Sequence, residues 1–206
     1  MMRHFRFFAL VIVIVTISVW LSAAAEAASK ESVEPYFQKA RQDYLQKNMK
    51  AAADEVRKSA TYLKSETSAA KGNGKKALTA SYRELDKLAG ELEKGTVKSV
   101  KEMEISFASA YEALATNSHV KSTDAWSRKE FKKAGDELEA AIDELEKGFA
   151  WGRHKADAST RKVIGESKEL SKKLKEGAGR SSAEASESLK DMGDEIRMFG
   201  LIISSK

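Results

Sequence analysis

The chain has 206 residues, 33% charged, 42% hydrophobic and 8% aromatic, with 12 glycines, one proline and no cysteine. Without cysteine there is no disulfide framework, thiolate nucleophile, lipid-bearing cysteine or covalently attached haem, so stability has to come from packing. The formal charge of +5 is mild and its two signs are intermingled, which describes a solvated surface and argues against nucleic acid as a partner.

In chain order, Arg3, His4 and Arg6 precede fifteen uncharged, mostly large apolar residues, Phe7 to Leu21, and then the small run SAAAEAAS. This is the plan of a secretory signal; Ala25, Glu26 and Ala27 form an Ala-x-Ala pattern that predicts cleavage after Ala27, with a second site after Ala25. Cleavage leaves about 179 residues carrying +4. An uncleaved anchor is the rival reading, because Phe7 to Ala25 is nineteen residues without a charge, close to the roughly 20 of a spanning helix. Either way the rest is expected outside the cytoplasmic membrane, periplasmic or secreted.

Beyond residue 32 apolar residues recur at spacings of three and four, and no segment alternates with period two, so the expected class is all-α. A first helix is expected at 33–46 with Pro35 in its first turn, where a missing amide costs little. A tight turn at Lys47 and Asn48 leads to a helix at 49–70, stopped by Gly72-Asn73-Gly74. A third helix covers 75–94 and ends at Gly95; a fourth starts near Thr96 or Ser99 and runs to Asn117 or as far as Trp126. Helices at 127–151, 157–176 and 181–203 follow. Short connections make neighbours antiparallel, so the expected architecture is helical hairpins packed as a bundle or short stack.

The second half repeats the first at an offset of 82 residues. Met49, Ala52, Val56, Ala60 and Leu63 align with Phe131, Ala134, Leu138, Ile142 and Leu145. Leu88, Leu92, Gly95, Ser99 and Glu102 align with Leu170, Leu174, Gly177, Ser181 and Glu184, and about 13 of 71 positions are identical. Ser99 with Glu102, and Ser181 with Glu184, have capping-box spacing. The pattern predicts two related units, 33–117 and 118–203, each covering apolar stripes that the other would leave exposed.

Candidate chemistry is sparse. His119 and His154 are the only histidines after the signal, and no Glu-x-x-His pair or Ser, His and Asp constellation is legible, so neither catalytic residues, a metal nor a cofactor is expected. Met49, Met103, Met192 and Met198 fall on core stripes, where methionine is filler more often than haem ligand. Two hairpin corners are basic. In the first, Lys71, Gly72, Asn73, Gly74, Lys75 and Lys76 could aim backbone amides and ammonium groups at an anion; lysine near a helix C-terminus also offsets the macrodipole without any ligand. In the second, Phe149, Trp151, Arg153 and His154 combine aromatics with arginine as interface hot spots do, and the two aromatics could equally staple the corner to the core. Tyr44 and Trp126 occupy matching places before the repeated helices. The lysine-rich SKKLKEGAGR, interrupted by glutamates, reads as a solvated face, with an anionic membrane or polymer surface as the other reading.

The hairpin FQKARQDYLQKNMKAAADEVRKSATYLKSE resembles a tetratricopeptide-like helical hairpin, although the 34-residue period and the Trp, Leu-Gly and Tyr signature of those repeats are absent. The signal, the length and the duplicated helical plan are similar to exported helical proteins of the YfdX type. That resemblance implies a non-enzymatic envelope protein tied to stress or chaperoning. The expectation is a noncatalytic binding or scaffolding protein with a protein partner in the cell envelope, the alternative being an anionic-ligand or envelope-surface binder using the basic corners.

Overall fold

The computed structural model describes residues 32–177 and 182–205. The signal region and Ser181 lie outside the described residues. Within them the protein is all-α, as expected. Seven helices follow one another: α1 Glu34–Leu45, α2 Met49–Glu66, α3 Gly72–Glu93, α4 Val100–Ser127, α5 Phe131–Trp151, α6 Ala158–Lys175 and α7 Ser182–Ser204.

Local chemistry sets most of the boundaries. Pro35 sits in the first turn of α1, where its fixed φ suits the helix and its missing amide had no intrahelical partner. Ser99 caps α4 by accepting from the Glu102 amide at 3.3 Å, while the Glu102 carboxylate reaches back to the Lys98 amide at 3.0 Å. This is the expected cap with its return bond moved one residue outward. Ser99→Ala is expected to cost about 1 kcal/mol, the usual worth of such a cap, read as a lower urea midpoint. Gly95 and Gly177 end α3 and α6 at φ +67 and +70, the left-handed conformation that glycine reaches without a Cβ penalty. The Gly72-Asn73-Gly74 segment departs from expectation, because it begins α3 instead of preceding it. Gly72 makes the turn at φ +50, and Gly74 lies inside against α4, where a Cβ would stand 2.9 Å from the Asn117 Cα.

Packing arranges the helices as two antiparallel rings of four. In the first, α1 packs on α2, α2 on α3, α3 on α4, and α4 back on α1; in the second, α4, α5, α6 and α7 close in the same way. The long α4 belongs to both. The boundary expected at 117/118 therefore falls inside an unbroken helix, and the units share it. Between Met103 and Ser118 α4 is buried nearly all round, through Phe107, Ala108, Ala110, Tyr111, Ala113, Leu114 and Ala115. A helix with apolar or small residues on most of its sides has little solvent face to offer, here a narrow strip that includes Glu112 and Thr116, and its alanines let neighbours approach from both sides.

The backbone repeats as the sequence does. The turn after α1 is closed by Gln46 N to Gln42 O, Lys47 N to Tyr44 O and Asn48 N to Asp43 O; after α4 the bonds are Arg128 N to Asp124 O, Lys129 N to Trp126 O and Glu130 N to Ala125 O, each 82 residues on. Lys47 and Lys129 take positive φ at 62 and 60. The C-terminal part of α4 thus stands to α5 as α1 stands to α2. Common descent of the two segments is a proposal that these recurrences support. The core follows the predicted stripes, with Ala52, Val56, Leu63, Leu138, Ile142 and Leu145 fully buried. Phe131 and Met198 are corrections, being 42% and 49% exposed. Phe131 leans on Trp126 at the start of α5, ring centroids 5.3 Å apart. Met198 lies off the line of Met192, Ile196, Phe199 and Ile203 that α7 buries.

Candidate functional site

Two seams along α4 concentrate the polar chemistry. The first lies between α1, α4 and the end of α5. Its floor is an aromatic cluster: Phe37 stacks on Phe107 at 4.1 Å, and Trp151 stands edge-on to Phe107 at 5.1 Å. Tyr111 and Trp151 both direct donors at Glu34, the indole Nε1 at 3.1 Å and the phenol through a short hydrogen bond, while Gln38 donates to the other carboxylate oxygen at 2.6 Å. Burial pushes the Glu34 carboxyl up, but these donors and the nearby Lys147 together hold it below its ordinary range. Burial, with donation to Glu34, pushes the Tyr111 phenol well above its ordinary range.

One helical turn before Phe107 and Ala108, Glu104 places a carboxylate that is 5% exposed between two guanidiniums. Arg41 Nε lies 2.7 Å and Arg153 Nη2 2.8 Å from it. Burial raises this carboxyl, and the two arginines more than offset the rise, leaving it below the usual carboxylate range. Glu34, Arg41, Glu104, Lys147 and Arg153 line an open cavity of about 300 Å³ with Trp151 in its wall. Arg153 takes φ +53 just past α5, a left-handed conformation that costs a non-glycine residue roughly 1–2 kcal/mol. The turn is closed as those after α1 and α4 are, by Gly152 N to Gly148 O, Arg153 N to Ala150 O and His154 N to Phe149 O, and from it the Arg153 side chain reaches Glu104.

The second seam is a groove of about 660 Å³ floored by α4 and walled by the start of α3 and by α7. Glu112, Thr116, His119 and Val120 form its floor, with Asn73 and Lys76 on one wall and Gly193, Arg197 and Leu201 on the other. The His119 imidazole lies over Gly193, filling the space of an absent side chain, so that a Cβ there would stand 2.6 Å from Cε1. Its Nε2 lies 2.7 Å from the Leu189 carbonyl. Burial depresses the His119 pKa, outweighing the Leu189 hydrogen bond and Asp194. The unfolded chain therefore binds the proton more readily than the folded one, and stability falls as pH drops below the ordinary value of 6.5. His119→Gln is expected to flatten that loss between about pH 6.5 and 5 in urea titrations. At the rim of the groove Met198, Leu201 and Ile202 are 49, 60 and 38% exposed on the last turns of α7.

The residues expected to carry function are placed as follows. Phe149 and Trp151 are buried, 7 and 8% exposed, Phe149 against Phe199 at 4.5 Å. They staple the corner to the core, the second of the two readings of these aromatics, and only the edge of Trp151 that lines the cavity is left accessible. Arg153 is exposed and His154 half-buried at the same corner, but Arg153 turns inward to Glu104. At the first corner Lys75 points to solvent and Lys71 reaches Asp124 at 3.9 Å. Gly72 and Gly74 serve the turn and the packing, leaving Asn73 and Lys76 to face the groove. The Glu34, Arg41, Glu104, Tyr111 and Lys147 constellation had no local signal beyond a carboxylate on the inner side of an alanine-rich helix.

Among the described residues no group of three His, Cys, Asp or Glu side chains is placed to hold a metal ion, and no described helix is long and apolar enough to cross a membrane. No protein-family model matches the chain, and no curated protein or solved structure does so either.

Proposed function

We propose that the protein is a noncatalytic binding or scaffolding protein of the bacterial cell envelope that engages a protein partner along the groove between α3, α4 and α7. The observation that carries this reading is the apolar stripe of Met198, Leu201 and Ile202 beside the groove, because these are three of the five large hydrophobic side chains that stand exposed among the described residues. Contiguous exposed apolar surface beside a polar groove is typical of a protein-binding site. The sequence supports the address through its secretory pattern, and the likeness to exported helical proteins of the YfdX type agrees with it.

A photo-crosslinking residue placed at position 201 in exporting cells is expected to give a discrete adduct that Met198→Asp abolishes. The same residue at position 132, on the far exposed side of α5, is expected to give none. Indistinguishable adducts at the two positions, or none at 201, would contradict the reading. Recovery of the protein in the cytoplasmic fraction with its full 22.7 kDa mass would contradict the address.

A further inference from the structure

The two seams are an internal control on each other, because they are related by the 82-residue offset. Where the first has Glu34, Gln38 and Arg41 on α1, the second has Thr116, Val120 and Thr123 on α4. Where the first has Glu104 and Tyr111 on α4, the second has Ser186 and Gly193 on α7. The three charged groups that α1 and α4 supply, and the phenol that serves one of them, are thus replaced in the copy by neutral residues, while Lys147 and Arg153 of α5 lie outside the aligned positions. The second seam nevertheless closes, through His119 on Leu189 and Trp126 Nε1 on Ser186 Oγ at 3.4 Å. Closing this kind of seam therefore does not require charges at these positions, and the one carboxylate on the floor of the second seam, Glu112, has its pKa raised by burial with no arginine set against it. Desolvating ions is costly, and well-packed apolar replacements are often as stable or more so. Stability alone is then a poor account of why the first seam holds a buried carboxylate between two arginines.

We propose that the first seam is a binding site for a small carboxylate ligand, held by Arg41, Arg153 and Lys147 against the Trp151 wall. This site is separate from the partner groove and does not depend on it. Three cationic and two anionic side chains line the cavity, leaving one positive charge in excess, which suits a monoanion. Arg41 gives only Nε and Arg153 only Nη2 to Glu104, so each guanidinium, with five donors, keeps most of its fork for another acceptor. The arginine side chains are 38 and 59% exposed on the cavity side of a carboxylate that is 5% exposed. Glu104 thus acts as the positioning residue, fixing two forks that would otherwise be flexible. Planar, paired N–H groups match a carboxylate better than a point charge does. A cavity of about 300 Å³ is at the small end of ligand pockets and admits a molecule of a few heavy atoms. Glu34, its oxygens taken by Tyr111, Trp151 and Gln38, fixes the indole at the far wall.

The test follows the Trp151 indole N–H resonance of the exported chain, assigned by its loss in Trp151→Phe, during titration with acetate, inorganic phosphate and chloride at matched ionic strength. Acetate is expected to give a saturable shift. Binding should weaken at least about tenfold in Arg153→Gln and about threefold or more in Lys147→Gln. Lys147 is exposed and does not touch Glu104, so its replacement leaves the fold in place even if the arginine variant proves unstable. Equal shifts from chloride, unchanged acetate affinity in Lys147→Gln together with Arg153→Gln, or no saturable shift at all would overturn the proposal. Tighter binding of phosphate than of acetate would overturn the carboxylate assignment.

Discussion

Replacing Phe107 by alanine is expected to destabilise the protein by about 3–5 kcal/mol, the range for deleting a buried aromatic ring, and to lower the stability of both rings in one transition. The ring is fully buried, stacked on Phe37 at 4.1 Å and edge-on to Trp151 at 5.1 Å. Those contacts tie α4 to α1 of the first ring and to α5 of the second. A cavity left there cannot be closed by moving one helix, because α4 is held from nearly every side between Met103 and Ser118. Against a total stability of ordinarily 5–15 kcal/mol, the loss would move the urea midpoint far to the left. Circular dichroism and tryptophan fluorescence should report one shared midpoint. Separate midpoints would show that the rings unfold independently.

A second large effect is expected where α5 and α6 touch. Gly135 is buried, and a Cβ added to it would stand 2.7 Å from the Ser171 carbonyl and 3.1 Å from the Leu174 Cβ. The Ser171 hydroxyl also donates to the Gly135 carbonyl at 2.9 Å, so the two backbones are held close. The obstructing atom is backbone, which can yield only by displacing α6. Overpacking of this kind costs roughly 1–3 kcal/mol, and the better helix propensity of alanine returns at most about 1 kcal/mol. Gly135→Ala is thus expected to destabilise by about 1–2 kcal/mol. Gly165→Ala, in the middle of α6 with nothing within 4 Å of the new methyl, is expected to stabilise by about 0.5–1 kcal/mol. Opposite signs for one substitution in two neighbouring helices would isolate the close approach as the cause; a gain of stability at both positions would contradict it.

Helices and turns were legible because their determinants are local. Pro35, Gly95, Gly177 and the Ser99 cap each act within one turn, and the apolar stripes of α2 and α5 each have one buried side. The start of α3 was misplaced because two glycines in one motif do different work, Gly72 in the turn and Gly74 in a contact with Asn117, forty-three residues away in the chain. Only tertiary structure separates those roles. The sharing of α4 was hidden for a related reason, since a helix covered on nearly every side shows little amphipathic contrast and gives no clue that it serves two rings.

The charged seam was harder still. Arg153 and Glu104 are separated by 49 residues, and Glu34 and Trp151 by 117. The sequence presents Arg153 as one more basic residue at a corner and Glu104 as one more acid on a helix. Their proximity follows from ring closure, which brings α1 and the end of α5 to the same stretch of α4. Of the two readings of Phe149 and Trp151, hot spot or staple, the packing supports the staple, because Trp151 is turned inward by Glu34, Phe37 and Phe107. One comparison within the sequence was available, however. Aligning the two halves shows Glu104 opposite Ser186 and Tyr111 opposite Gly193, a loss of charge and bulk at positions that otherwise repeat.

Native-state hydrogen exchange under increasing urea tests the sharing of α4 most directly. If one helix is the common core of both rings, the most protected amides of α2, α4 and α5 should exchange only through global unfolding, at the same free energy. Opening of α5, α6 and α7 several kcal/mol below α2 and α3, with α4 staying protected alongside the first ring alone, would contradict that account.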